Sequence, residues 1–274
     1  MNTWIKKSNI ITLNVAGPRA SKDHKIYQVT RDILEAAFIK EDLMIHKSKK
    51  KESRATSILG SPVSAQDLLP IELSRPTLDR GKSVLKALQQ RKTIREISDK
   101  KLSSQVLSNL LWAACGVNRK KVLIGISGRT AASASNSREI DLYVALQEGT
   151  FLYDALHHRL VPIVAGDLRA LALGQGQPNV GAKAPVRLIY IVDINKLSNT
   201  SGFQEPGLQD PEIQKSYYYV DTGLIAGNVY LFAASQGLAS WFHNCNKSGL
   251  AAKLNLRADQ RVLFGQTVGY PVKK

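Results

Sequence analysis

Three short stretches of this sequence concentrate groups that hold anions or planar ligands. Arg91, Lys92, Thr93 and Arg95 place two guanidinium forks, an ammonium and a hydroxyl close together, the kind of donor set that charge-assisted binding of a phosphate uses. Ser133-Ala134-Ser135-Asn136 offers hydroxyl and amide donors on small side chains, so a planar ring can approach closely. Lys273 and Lys274 add two cations after the final Tyr270-Pro271 turn. Taken singly, none is specific: a surface helix end, a turn and a charged terminus account for them as well.

Other chemistries find less support. No G-x-x-x-x-G-K-[ST] loop occurs, and Gly174-Gln175-Gly176-Gln177 neither follows a strand nor carries the third glycine of a dinucleotide fingerprint. Gly125-Ile126-Ser127-Gly128 falls one residue short of a nucleophile elbow. His157-His158 lacks a carboxylate at metal-ligand spacing and reads as a pair of surface histidines, so no metal is expected. Cys115 lies in a helical apolar stripe and reads as a core residue.

The chain has 274 residues, with 38 Lys and Arg against 22 Asp and Glu, a net charge of +16. Its 43% hydrophobic and 22% charged residues are globular composition, in one large domain or two small ones. No apolar run approaches the length of a membrane span. Two cysteines cannot build a disulfide framework, and Lys6-Lys7 followed by a short apolar stretch between Asn9 and Asn14 is not a signal peptide. A cytoplasmic location is expected. The positive surplus raises a non-enzymatic, nucleic-acid-binding alternative. The densest basic run, from His46 to Arg54, contains no aromatic stacking platform, and it reads as a solvated linker. A small anionic ligand remains the better partner for the charge.

The elements that would position these groups follow from periodicity. Ile10–Val15 reads as a strand and Lys25–Ile39 as a helix, an N-terminal extension over residues 1–45. Residues 46–80, with Pro62, Pro70 and Pro76, read as a linker or wrapping arm leading to a domain over 81–274. There, Ser83–Gln90 is helical, and a helix capped at Ser103-Ser104 carries Val106, Leu107, Leu110, Leu111 and Ala114 on one face up to the Gly116 stop. A polar loop spans Gly125–Ser137. Ile140–Leu146 and Thr150–Tyr153 read as paired strands around Glu148-Gly149, and Asp167–Leu173 as a short helix. Val186–Val192 reads as a buried strand, and Asn195–Pro211 as an insertion. The longest helix, Tyr217–Gln236, is apolar nearly all round and rich in Gly and Ala, so it should be central. Val262–Val268 is the last strand. The mixture lacks a strict βαβ rhythm, so the expected class is α+β.

The order and spacing of these blocks together are specific. "QQRKTIREI" (Gln89–Ile97), "LSNLLWAACGVNR" (Leu107–Arg119), "GRTAASASNSREIDLYVAL" (Gly128–Leu146), "APVRLIYIVD" (Ala184–Asp193), "DTGLIAGNVYLFAASQGLAS" (Asp221–Ser240) and "VLFGQTVGYP" (Val262–Pro271) resemble the flavin-dependent nitroreductase superfamily, in its SagB-type, thiazole/oxazole-dehydrogenase-like branch. That resemblance implies a mostly antiparallel central sheet flanked by helices, in an intertwined homodimer. It implies that FMN is held by Arg91, Lys92, Thr93 and Arg95, by Ser133 and Asn136 of the neighbouring subunit, by Ser240, Trp241 and Phe242, and by Lys273 or Lys274. Ala132 and Leu224 depart from the family pattern, which usually has proline and often histidine there.

The implied reaction is flavin-centred, with no titratable side chain in charge: hydride from NAD(P)H passes through the flavin to a nitro, quinone or similar small acceptor. The branch also implies an alternative, oxidation of peptide azolines, which is associated with a lysine–tyrosine pair. The nearest residues, Lys215 and Tyr217, are not adjacent, and packing at a helix start explains the tyrosines more simply. "LNVAGPRASKDHKIY" (Leu13–Tyr27) resembles the C-terminal strand–turn–helix of molybdenum-carrier-like proteins, from which no function is carried over.

Overall fold

The computed structural model describes residues 68–119, 127–174 and 184–272, all within the compact unit Pro62–Lys274. The expected strand Ile10–Val15, the helix Lys25–Ile39, the basic run His46–Arg54, most of the Gly174–Gln177 stretch, and Lys273 and Lys274 lie outside the described residues.

In chain order the elements are β1 (Ile71–Glu72), α1 (Val84–Gln90), α2 (Ser104–Cys115), β2 (Val117–Arg119), β3 (Gly128–Arg129), β4 (Ile140–Ala145), β5 (Gly149–Asp154), β6 (Arg159–Ala165), β7 (Val186–Asp193), α3 (Ile194–Ser198), α4 (Pro211–Gln236), β8 (Ala239–His243), α5 (Lys247–Lys253) and β9 (Gln260–Gly269). Seven strands form one sheet in the order β1-β6-β5-β4-β7-β9-β8, every neighbouring pair antiparallel, while β2 and β3 form a separate ribbon. The class is α+β with a central antiparallel sheet flanked by helices, as expected.

Alternation along the middle strands explains the layers. Leu142 and Val144 of β4, with Leu188 and Tyr190 of β7, join Leu110 and Leu111 of α2 and Ile225 and Val229 of α4 in the larger core. Tyr143, Ala145, Ile189 and Ile191 point the other way, against Leu250 and Leu254 of and after α5. Successive strand residues face opposite sides, so a strand covered on both reads as the continuous apolar run of β7.

Ser83 and Ser103 cap α1 and α2 by accepting the backbone N–H groups of Lys86 and Val106. Two expectations require correction. The long helix begins at Pro211, not at Tyr217, because Asp210 caps it and Pro211 occupies its first turn, where the missing N–H has no cost. Asp167–Leu173 forms turns, not a helix: Asp167 ties down the backbone N–H and guanidinium of Arg169 locally. Within the segment read as a linker, residues 71–72 pair with β6, and Thr77 and Asn109 of α2 bond through backbone and side chain. Among the described residues, no helix is long and apolar enough to cross a membrane.

Candidate functional site

After α1 the chain turns extended at Arg91. It is then pinned on two sides. Ile94 N–H donates to Ser240 O of β8 at 3.1 Å, and Ser98 N–H to Tyr270 O at 2.8 Å. Arg91, Lys92, Thr93 and Arg95 are all exposed. Among the described residues none of these three cations has an ion pair. Their side chains are nevertheless placed. The Arg91 guanidinium carbon lies 5.6 Å over the ring of Tyr230, and that of Arg95 lies 5.7 Å over Trp241. Thr93 Oγ1 is 3.1 Å from the Tyr230 hydroxyl, which accepts the N–H of Phe242 at 2.8 Å. Tyr230 was given no role by sequence reasoning. The signal was available in the small-residue half of α4, residues 223–236, where Tyr230 is the one hydroxyl-bearing aromatic.

The serine/asparagine loop is held by α4 from a different turn. Ala134 N–H donates to Asp221 Oδ2 at 2.9 Å, Asn228 Nδ2 donates to Thr130 O at 3.2 Å, and Ser133 Oγ accepts from Arg138 N–H at 3.1 Å. Ser135, Asn136 and Arg138 have φ of 50°, 57° and 52°. Three left-handed non-glycine residues so close together are backbone strain maintained by these tethers, the kind that gathers at ligand clamps. The half-buried Asn136 side chain makes no hydrogen bond among the described residues.

Beneath the loop lies a cavity of about 330 Å³ lined in part by Arg129, Ser133, Arg138, Glu139 and Asp221. Burial pushes the Glu139 carboxyl up, and the neighbouring Asp221 charge adds to the effect, against a hydrogen bond from Ser137. Glu139 Oε1 is buried without a hydrogen-bond partner among the described residues. Among the described residues, no group of His, Cys, Asp and Glu is arranged to hold a metal ion.

The loop and the arginine block do not meet within one chain. They engage α4 at Asp221 and at Tyr230, nine residues or about 14 Å apart along the axis. In β8, Ser240 is buried, with its hydroxyl accepting from Gln266 Nε2. Trp241 is buried against His243, and half-buried Phe242 stacks with Tyr190 and Phe264. Lys215 pairs with Glu212, and the Tyr217 ring packs edge-on against Phe203 at 4.9 Å.

His158 is not a surface histidine: Nε2 meets Ser108 Oγ and Nδ1 meets the Tyr153 hydroxyl, both at 2.8 Å, in a knot that secures the 74 segment. A single sequence could not show that tertiary contacts cover this hairpin tip. His157 stays exposed and pairs with Asp154. Cys115, ending α2, has its thiol pushed up to about 12 by burial, as suits an inert packing residue.

The model of the nitroreductase family matches residues 88–270, and that of the circularly permutated YpsA SLOG family matches residues 1–38. A crystal structure of a candidate nitroreductase from Ralstonia eutropha is 30% identical, covering 81% of this chain and 99% of its own with a TM-score of 0.66. A candidate nitroreductase of Methanocaldococcus jannaschii is 27% identical over 177 residues, 62% of this chain and 82% of its own. A chain of the Escherichia coli microcin synthetase McbBCD, solved with truncated pro-MccB17 bound, shares the fold at 17% identity. It covers all of this chain and 91% of its own, with a TM-score of 0.54. With the family model spanning strands β4 to β9, the arginine block and the serine/asparagine loop together, the chain belongs to the nitroreductase family.

Proposed function

We propose that the protein is an FMN-dependent oxidoreductase that works as a homodimer and reduces small nitro, quinone or similar acceptors with electrons from NAD(P)H. The observation that carries this is the arginine block: three exposed cations without ion pairs among the described residues, two of them held over aromatic rings, beside a hydroxyl fixed by Tyr230. Such a set fits the phosphate of FMN, since charge-assisted donors there need little reorganisation. FMN, when bound, supplies two-electron hydride chemistry, and the protein supplies position and charge. Arg91, Lys92 and Arg95 neutralise the phosphate, and Thr93 adds a hydroxyl contact. Lys273 and Lys274 extend the same cationic set in sequence.

The second half of the site comes from a partner chain. The resemblance implies that Ser133 and Asn136 reach the flavin of the neighbouring subunit, and their loop engages α4 about 14 Å along the axis from the point where Thr93 does. The face of α4 that would carry the partner is exposed and apolar. Ile213, Tyr217, Val220 and Leu224 recur at spacings of four, three and four, and Val220 is 60% exposed. At Gly223 and Gly227 beside this stripe an added Cβ would meet no atom of the described residues within 4 Å, which leaves room for a close approach. A stripe of this kind buries itself against its own copy across a two-fold axis.

The azoline reading ranks second, because Lys215 and Tyr217 are engaged with Glu212 and Phe203 and do not converge as a proton-abstracting pair. The test is reconstitution. Purified protein incubated with FMN and desalted should retain the yellow flavin, bleach with NADH or NADPH, and recolour with a quinone or nitroarene. Protein that stays colourless overturns the proposal, and a salt-sensitive shift on random DNA would then favour the nucleic-acid alternative.

A further inference from the structure

The hydrogen bonds around Tyr230 assign a direction to the Thr93 proton. Phe242 N–H donates to the Tyr230 hydroxyl oxygen at 2.8 Å, and an N–H cannot accept in return. The contact with Thr93 Oγ1 at 3.1 Å must therefore use either the phenolic proton or the threonine proton. A phenol is the better donor and an aliphatic alcohol the better acceptor, and the phenolic oxygen already accepts one bond. The Tyr230 proton thus goes to Thr93, and Thr93 Oγ1 accepts. Its own proton is left to turn outward, on the exposed side of the block.

We propose that Tyr230 is a positioning residue for the phosphate end of the ligand. Its hydroxyl orients Thr93 as a donor to a phosphate oxygen, and its ring seats Arg91, 5.6 Å away. One side chain of α4 thereby presets two members of the block before the ligand arrives, and anchors both to β8 through Phe242. This inference rests on the FMN reading above, and it concerns the phosphate alone.

The experiment measures dissociation constants of FMN and of riboflavin, which lacks the phosphate, by quenching of flavin fluorescence on the flavin-free protein. Tyr230→Phe keeps the ring and removes the hydroxyl; Thr93→Val removes the relay's outer end. Tyr230→Phe should weaken FMN about fivefold, the effect of one modest hydrogen bond, and Thr93→Val about tenfold, as for a bond to a charged group. The double variant should be no weaker than Thr93→Val alone, because both changes cut the same chain of bonds. Riboflavin affinity of Tyr230→Phe should stay close to wild type, which a general loss of packing would not allow. Unchanged FMN binding by Tyr230→Phe, multiplicative losses in the double variant, or an equal loss of riboflavin would each overturn the inference. Wild-type protein that binds neither flavin overturns the FMN reading and this inference with it.

Discussion

Burial of His243 makes the stability of this fold depend on acid in a calculable way. The side chain sits in β8 at 5% exposure, with Nδ1 donating to Asn244 O at 2.7 Å and Nε2 accepting from Thr267 Oγ1 at 2.8 Å. Thr267 in turn accepts from Arg187, so the imidazole lies at the end of a chain that starts on a buried guanidinium. Burial, with the Arg187 charge as a smaller cause, lowers the His243 pKa from 6.5 to about 4, against the hydrogen bond to Asn244.

Protonation is therefore easier in the unfolded chain. This group's stabilisation is fully present above the ordinary histidine range and is lost as pH falls through the folded value. Relative to neutral pH the loss is about 2 kcal/mol by pH 5 and about 3 kcal/mol by pH 4. Other groups titrate in the same window, so the measurement is a difference. Urea unfolding followed by far-UV circular dichroism, at fixed protein concentration, is run on wild type and His243→Asn from about pH 7.5 to pH 4.5. At the upper end the variant should be less stable by about 1–3 kcal/mol, from the Thr267 hydroxyl proton it leaves without its acceptor. The gap should then close by about 2 kcal/mol toward pH 5, because only wild type carries the titrating imidazole. A gap that stays constant across the range refutes the reasoning.

Glu139 contributes the opposite slope. With its pKa raised by burial, ionisation costs stability as pH rises, so Glu139→Gln should gain on wild type between about pH 5 and pH 8 in the same assay. Arg91→Ala should weaken FMN by about 2 kcal/mol, roughly thirtyfold in dissociation constant, while Lys47→Ala leaves it unchanged; fluorescence titration decides. Leu224→Glu places a charge on the exposed stripe of α4 and should shift the protein from dimer to monomer in light scattering, with loss of flavin retention. Gly237 ends α4 at φ +69° with free space around its Cβ position, so Gly237→Ala should cost about 1 kcal/mol of unfolding free energy in urea melts, and little else.

How far the sequence reaches can be judged element by element. Ser83, Ser103 and Gly237 mark helix ends through bonds and dihedrals that involve only their near neighbours, so α1, α2 and the end of α4 were legible. The β4–β5 hairpin and the apolar run of β7 carry their signals locally too. Strand β8, in contrast, is five residues whose pairing to β9 is set across more than twenty positions of chain, and β6 holds Pro162. Nothing local announces either. The same division governs the site. Arg91, Thr93 and Arg95 show by type and spacing only a cluster of cations and a hydroxyl, and it is the resemblance that implies a phosphate there. That Arg91 rests on Tyr230, that Thr93 receives its proton, and that the Ser133 loop is clamped by Asp221 were decided by α4 packing across the sheet. A proton's direction or a buried carboxyl's charge depends on which distant groups the fold brings within three ångströms, and one-dimensional spacing carries no such information.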